Sequence, residues 1–272
     1  MISIGMSPNL VHAGGLMVTW HSVLSAAAIV LAVYLVGRWG KQAGLRDGIV
    51  LSVAWWAIPG GIIGARLLYV VDNWGFYSVH PERIVAVWSG GIAVYGAFAG
   101  GALAGAAYAA WKRFPVRQLL DLSAPALALA QAVGRVGDLI NGEHFSTPSS
   151  LPWAVVYTPP DSPGFGRPPT HPAVGYEMLA DLALFGLLFM LRDKLRPTGS
   201  LFMLFAALYA AIRLPLSFLR LDGNSSALGL NQQTWASVVV LAVGLGLLIY
   251  LRPRLSETAR AGFKRLFNER KV

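Results

Sequence analysis

The chain has 272 residues, 55% hydrophobic and 13% charged, with a mean hydropathy of +0.55. That balance excludes an ordinary soluble domain, and runs of roughly 20 apolar residues cross a bilayer as helices. Cysteine is absent, which removes disulfides, an intrinsic thiolate nucleophile and thiolate metal sites. The net charge of +9 reads as basic loops on the cytoplasmic side, with no nucleic-acid partner.

The first 15 residues lack the basic region of a cleavable signal peptide. Seven apolar runs follow, at about 16–36, 49–71, 88–110, 119–133, 176–191, 199–219 and 235–251; the fourth is short and interrupted by Pro125. A membrane β-barrel would show short alternating segments instead. The first connection carries Arg38, Lys41 and Arg46, the third Lys112, Arg113 and Arg117, and the fifth Arg192, Lys194 and Arg196. The tail adds Arg252, Arg254, Arg260, Lys264, Arg265, Arg270 and Lys271. Cations on alternate connections fix orientation by the positive-inside rule. The expected fold is an all-α polytopic membrane protein of seven transmembrane helices, N-terminus outside and C-terminus cytoplasmic.

One domain is expected over 1–251, with an extracytoplasmic loop at about 134–175. Residues 252–272 read as a basic amphipathic cytoplasmic tail on the anionic inner leaflet. In the second and third spans, four-residue spacing of Gly60 and Gly64, Gly96 and Gly100, and Gly101 and Gly105 permits close helix approach.

Six cations lie off the cytoplasmic connections, and all are arginines: Arg66, Arg83, Arg135, Arg167, Arg213 and Arg220. A guanidinium forks onto phosphate oxygens, where an ammonium acts as a point charge. Arg135 belongs to residues 131–146, QAVGRVGDLINGEHFS, which also hold Asp138, Asn141, Glu143 and His144. Ionisable groups at membrane depth are costly and mark pathways or reactions. Three further polar places are Arg66, Asp72 and Asn73; His171, Tyr176 and Glu177 in HPAVGYE; and Arg213, Arg220, Asp222 and Asn224 in RLPLSFLRLDGN. Arg213 sits in an apolar run, where a lone cation costs about 2.5–3.5 kcal/mol on insertion scales. A buried carboxylate or a ligand phosphate would account for it. His21 and Tyr95 place one imidazole and one phenol in the first and third spans. No spacing such as H-E-x-x-H is present, so neither metal nor cofactor is expected.

The segments GGIIGARLLYV, NWGFYSVHPERIVAVWSGGIAVYGAFAGG, GRVGDLINGEHF, LPWAVVY and HPAVGYE resemble the bacterial prolipoprotein diacylglyceryl transferases, in that family's order and over about 15–250. The resemblance implies a multi-pass protein of the bacterial inner membrane. It implies transfer of an sn-1,2-diacylglyceryl group from phosphatidylglycerol to the lipobox cysteine of a prelipoprotein signal peptide, releasing glycerol phosphate. Arg135 and Glu143 fall on the signature's arginine and glutamate, and Asn141 and Gly142 keep its N-G step. Arg213 and Arg220 match paired arginines, and His171, Pro172, Tyr176 and Glu177 match H-P-x-x-x-Y-E. Five positions depart from the pattern. Tyr95 stands for a histidine, His21 for a tyrosine, Asp138 for the signature asparagine, Ser146 for a glycine and Ser217 for a glutamate. The first two read as a reciprocal exchange.

The implied catalytic set is Arg135, Arg213, Glu143, His21 and Tyr95. Arginines stabilise the leaving phosphate, and Glu143 either holds Arg135 or orients the head group. His21, with an ordinary pKa of roughly 6.5, is the better-matched base for a thiol. Arg66, Asp138, Asn141, Gly142, Arg220, His171, Tyr176 and Glu177 are expected on the substrate. Two alternatives stand beside this reading: an impaired relative that binds lipid or lipoprotein without transfer, which the five departures motivate, and an anion transporter, which calls for inverted repeats that the sequence does not display.

Overall fold

The computed structural model describes residues 1–13, 16–87, 90–221 and 232–256. Its helices are α1 (Trp20–Gln42), α2 (Ile49–Asp72), the short α3 (Trp74–Tyr77), α4 (Val94–Trp111), α5 (Val116–Asn141), α6 (Ala173–Leu191), α7 (Ser200–Ser217) and α8 (Gln232–Leu251). Among the described residues six of them, α1, α2 and α5 to α8, are long and apolar enough to cross a membrane. The protein is therefore polytopic and helical. The third expected span is occupied by α4, whose 18 residues are mostly Gly, Ala and aromatics. Asp222, Asn224 and residues 257–272 of the expected tail lie outside the described residues.

Two compact units divide the chain: residues 35–119, and residues 1–34 with 120–272. In the first, α2 packs on α4 through the glycine rows. A Cβ on Gly64 would come within 2.8 Å of Gly100 Cα, and one on Gly96 within 2.8 Å of Leu68 Cβ. The spacing of four thus brings two backbones together. Outward from this seam α2 exposes Trp55, Trp56, Ile62, Ile63 and Leu67, apolar surface that a lipid environment covers.

In the second unit α7 packs against both α6 and α8. Gly244 lies tightly on Ala207, where a Cβ would stand 3.1 Å from the alanine's own. Short strand pairs, not anticipated from the sequence, border the helices. β1 (Ile2–Ile4) pairs in parallel with β4 (Val155–Tyr157), β2 (Asn9–Ala13) with β3 (Leu16–Thr19) as a hairpin, and β5 (Leu195–Arg196) with β6 (Arg254–Leu255). The first apolar run is consequently split. Leu16–Thr19 is extended, and Thr19 starts α1 by accepting the Ser22 N–H on its Oγ1 at 3.2 Å.

Candidate active site

The polar segment 131–146 is mostly helix: α5 continues to Asn141, well past the expected end at 133. Arg135, Asp138 and Asn141 therefore recur every three residues along one side of α5. Gly142 ends the helix in the left-handed region, φ 73°, with its N–H donating to Asp138 O at 3.0 Å. A Cβ there would also stand 2.7 Å from Ser162 Oγ and 2.8 Å from the Tyr157 ring. Burial pushes the Tyr157 phenol up to about 12, and its hydroxyl donates to Leu139 O at 3.0 Å. Beyond this turn, Phe145 O accepts from Leu221 N and Thr147 N donates to Leu219 O, both at 2.9 Å. The pairing sets Arg220 beside His144.

Glu177, in α6 and 2% exposed, is the centre of the cluster. Its Oε2 lies 2.8 Å from Arg135 Nε, and its Oε1 faces Arg213 Nη1 and, at 3.3 Å, Arg220 Nη1. Arg135 Nη1 also donates to Asp138 Oδ2 at 2.6 Å, and Arg213 Nη2 to Gln233 Oε1 of α8 at 3.1 Å. All three guanidiniums are buried. Of the two explanations open for Arg213, a buried carboxylate is present. Among the described residues the three cations share Glu177, and Arg135 also meets Asp138. Asp181, one turn further along α6 and equally buried, makes no ion pair among the described residues.

Asp138 carries two imidazoles besides Arg135. His21 Nδ1 is 2.5 Å from Oδ1, and His144 Nε2 is 3.6 Å from Oδ2. Arg220 Nη2 donates to His144 Nδ1 at 2.7 Å. Two buried side-chain atoms beside the cluster have no hydrogen-bond partner among the described residues: Gln131 Nε2, one turn before Arg135, and Asn141 Oδ1.

Five other expected site residues have surroundings of their own. Glu143 does not hold Arg135; it is exposed and accepts the Asn141 amide, while Glu177 and Asp138 hold the arginine. Arg66, in the other unit, donates to the carbonyls of Ile84 (2.9 Å), Gly90 (2.6 Å), Gly91 (2.9 Å) and Arg83 (2.6 Å). Stacked at 5.1 Å over Tyr77, its guanidinium holds a loop. His171 and Tyr176 meet each other, Nδ1 to hydroxyl at 3.5 Å, and Trp153 Nε1 donates to the same hydroxyl at 2.8 Å. Tyr95 is the second residue of α4, in the unit 35–119.

A family model described as prolipoprotein diacylglyceryl transferase matches residues 8–250. The chain belongs to the prolipoprotein diacylglyceryl transferase family. Among its relatives, the phosphatidylglycerol–prolipoprotein diacylglyceryl transferase of Nostoc sp. is 38% identical over 259 residues, 91% of this chain and 90% of that protein. The protein of the same name from Dehalococcoides mccartyi is 34% identical over 260 residues, covering 95% and 98%. That of Acaryochloris marina is 35% identical over 264 residues, covering 93% and 95%.

Within this member of the diacylglyceryl transferases, Gln131, Gly137 and Gln233 join the site although their chemistry alone did not single them out, and His144, named in the polar segment without a role, pairs with Arg220 and Asp138. Gln131 already stood in the polar segment. Gly137 and Gln233 carry no sequence signal of their own, because their contacts come from α1 and α7.

Proposed function

We propose that this protein transfers the sn-1,2-diacylglyceryl group of phosphatidylglycerol to the thiol of a lipobox cysteine in a prelipoprotein, releasing glycerol phosphate. The observation that carries the reading is the convergence of Arg135, Arg213 and Arg220 on Glu177. Three buried guanidiniums gathered at one carboxylate are placed to receive an anion, and charge developing on a departing phosphate ester gains most from donors already fixed in place. Membership of the family adds the substrates named for its relatives.

In this reaction the sulfur–carbon bond forms at the terminal glycerol carbon of the diacylglyceryl group as the bond from that carbon to the phosphate oxygen breaks. The thiol proton balances the second negative charge that the phosphate monoester acquires. Arg135 and Arg213 take the leaving phosphate, with Arg220 beside them. Gln131 Nε2 and Asn141 Oδ1 supply a free donor and a free acceptor to the polar part of the lipid. His171, Tyr176 and Trp153 form an aromatic group suited to the membrane–water boundary.

We further propose that α4 completes seven spans. With basic residues on alternate connections, this sets the N-terminus outside, the connection after α5 on the outer face and the C-terminus in the cytoplasm. The chain then works in the bacterial inner membrane, where both substrates reside, and residues 252–272 form a basic segment on the inner leaflet.

The purified protein, given phosphatidylglycerol vesicles and a lipobox peptide, is expected to form a diacylglyceryl thioether and one glycerol phosphate per thioether. Binding of phosphatidylglycerol with no thioether formed would overturn the reading.

A further inference from the structure

Two positions at which the chain departs from its family's pattern touch each other. His21, at the start of α1, and Asp138, on α5, are 117 residues apart in sequence and 2.5 Å apart in space. Their meeting depends on local structure at both ends. The Thr19 cap begins α1 at Trp20 and so puts His21 in the first turn. Gly137, with no side chain, lets that turn rest on α5: a Cβ there would stand 2.7 Å from His21 Cα and 3.3 Å from Trp20 O.

The hydrogen bonds decide which imidazole is available for chemistry. His144 has both nitrogens engaged, Nδ1 accepting from Arg220 and Nε2 directed at Asp138. His21 uses only Nδ1. Its Nε2 has no hydrogen-bond partner among the described residues, and its side chain is 38% exposed while that of Asp138 is 7% exposed. A carboxylate accepts from Nδ1–H, which fixes the tautomer and leaves the Nε2 lone pair outward. Asp138 in turn is anchored by Arg135 at 2.6 Å, so the base is built onto the arginine cluster itself.

We infer that His21 is the group that takes the thiol proton in this protein, with Asp138 as its positioning residue. Resting on the proposed transferase reading, the step is as follows. The thiol proton passes to His21 Nε2 as sulfur attacks the glycerol carbon. The carbon–oxygen bond breaks toward the arginines, and the imidazolium, facing the Asp138 carboxylate, returns its proton to the glycerol phosphate or to water. The carboxylate also stabilises the imidazolium as it forms, which the neutral carbonyl oxygen of an amide at the same place would do far less.

A double-mutant cycle in the transfer assay tests the pair. His21→Ala and Asp138→Asn are each expected to lower kcat by about 10²–10⁴-fold, the range for a general base. Asp138→Asn in the His21→Ala background should cost at least tenfold less than it does alone, because its main effect runs through the missing imidazole. An equal cost in both backgrounds would show that Asp138 acts only through Arg135 and would overturn the pairing. Should His21→Ala fail to fold, His21→Asn keeps a donor for Asp138 without a basic nitrogen. Folded and inactive is the expected result, and wild-type turnover refutes the base. Arg135→Ala is run alongside. If it is dead while His21→Asn is fully active, the transferase reading stands and this inference falls. If the unmodified protein makes no thioether, both fall.

Discussion

Arg135 Nε and Glu177 Oε2 lie 2.8 Å apart, joining α5 to α6 inside the helical bundle. The same carboxylate meets Arg213 and Arg220, so one acid holds three bases in register. Guanidiniums otherwise repel one another, and their conformational freedom would cost a bound phosphate dearly in ordering. A buried carboxylate fixes them beforehand.

Glu177→Gln leaves three buried cations without their shared partner. Breaking a buried ion pair by removing one side costs about 3–5 kcal/mol. Thermal unfolding in detergent should show a midpoint lowered by many degrees, with transfer reduced in whatever protein remains folded. An unchanged midpoint would show that solvent, and not Glu177, stabilises the arginines.

Arg66→Ala separates two roles for an intramembrane arginine. Its donors satisfy the carbonyls of Arg83, Ile84, Gly90 and Gly91. Hydrogen bonds from a charged donor contribute about 1.5–3 kcal/mol each. The expected result is a lowered unfolding midpoint with KM for phosphatidylglycerol unaltered. A several-fold rise in KM at an unchanged midpoint would return Arg66 to the ligand site.

The α2–α4 seam makes a steric prediction. Gly100→Ala places a methyl against the Gly60 carbonyl and 2.8 Å from Gly64 Cα, and overpacking of that kind costs about 1–3 kcal/mol. Gly37→Ala, in α1, meets nothing within 4 Å and should be neutral or slightly stabilising. Equal midpoints for the two variants would contradict the close approach.

Acid should loosen the N-terminal segment. Ser7 Oγ donates to Asp161 Oδ2 at 2.5 Å and Asn9 Nδ2 at 3.0 Å, and the serine hydrogen bond holds the Asp161 carboxyl below the usual range. A carboxyl depressed in the folded state stabilises above its unfolded pKa, about 3.9, and that contribution is lost as pH falls further. Protection of the β1–β4 amides from hydrogen exchange, relative to the intrinsic rate at each pH, should fall below about pH 3.9, and Asp161→Asn should lower it at neutral pH. Protection unaltered under both conditions would contradict the tie.

Six long apolar helices and the arginines were legible because apolar runs and scarce cations are local signals. Arg135, Arg213 and Arg220 stood out as cations in an apolar chain, and the structure brings them together. Glu177 was recognisable as a polar residue of HPAVGYE, but its position as their common partner depends on how α5, α6 and α7 pack. Arg66 carried the same sequence signal as Arg213 and has a different environment, because its donors meet loop carbonyls that no pattern announces. His21 and Asp138 each read as a departure. Their contact became visible only once the Thr19 cap and Gly137 brought α1 onto α5. The strand pairs of the first 19 residues were hidden by an apolar run, Leu16–Thr19, that suits strand and helix alike.

The most direct test of the arginine cluster is a stoichiometric transfer assay with purified wild-type protein and Arg135→Ala in phosphatidylglycerol bilayers. Thioether and glycerol phosphate are measured together, and folding is checked by unfolding midpoint. The wild type should release one glycerol phosphate per thioether, and the folded variant should be slower by at least about 10²–10³-fold. Transfer by folded Arg135→Ala at the wild-type rate would contradict the account.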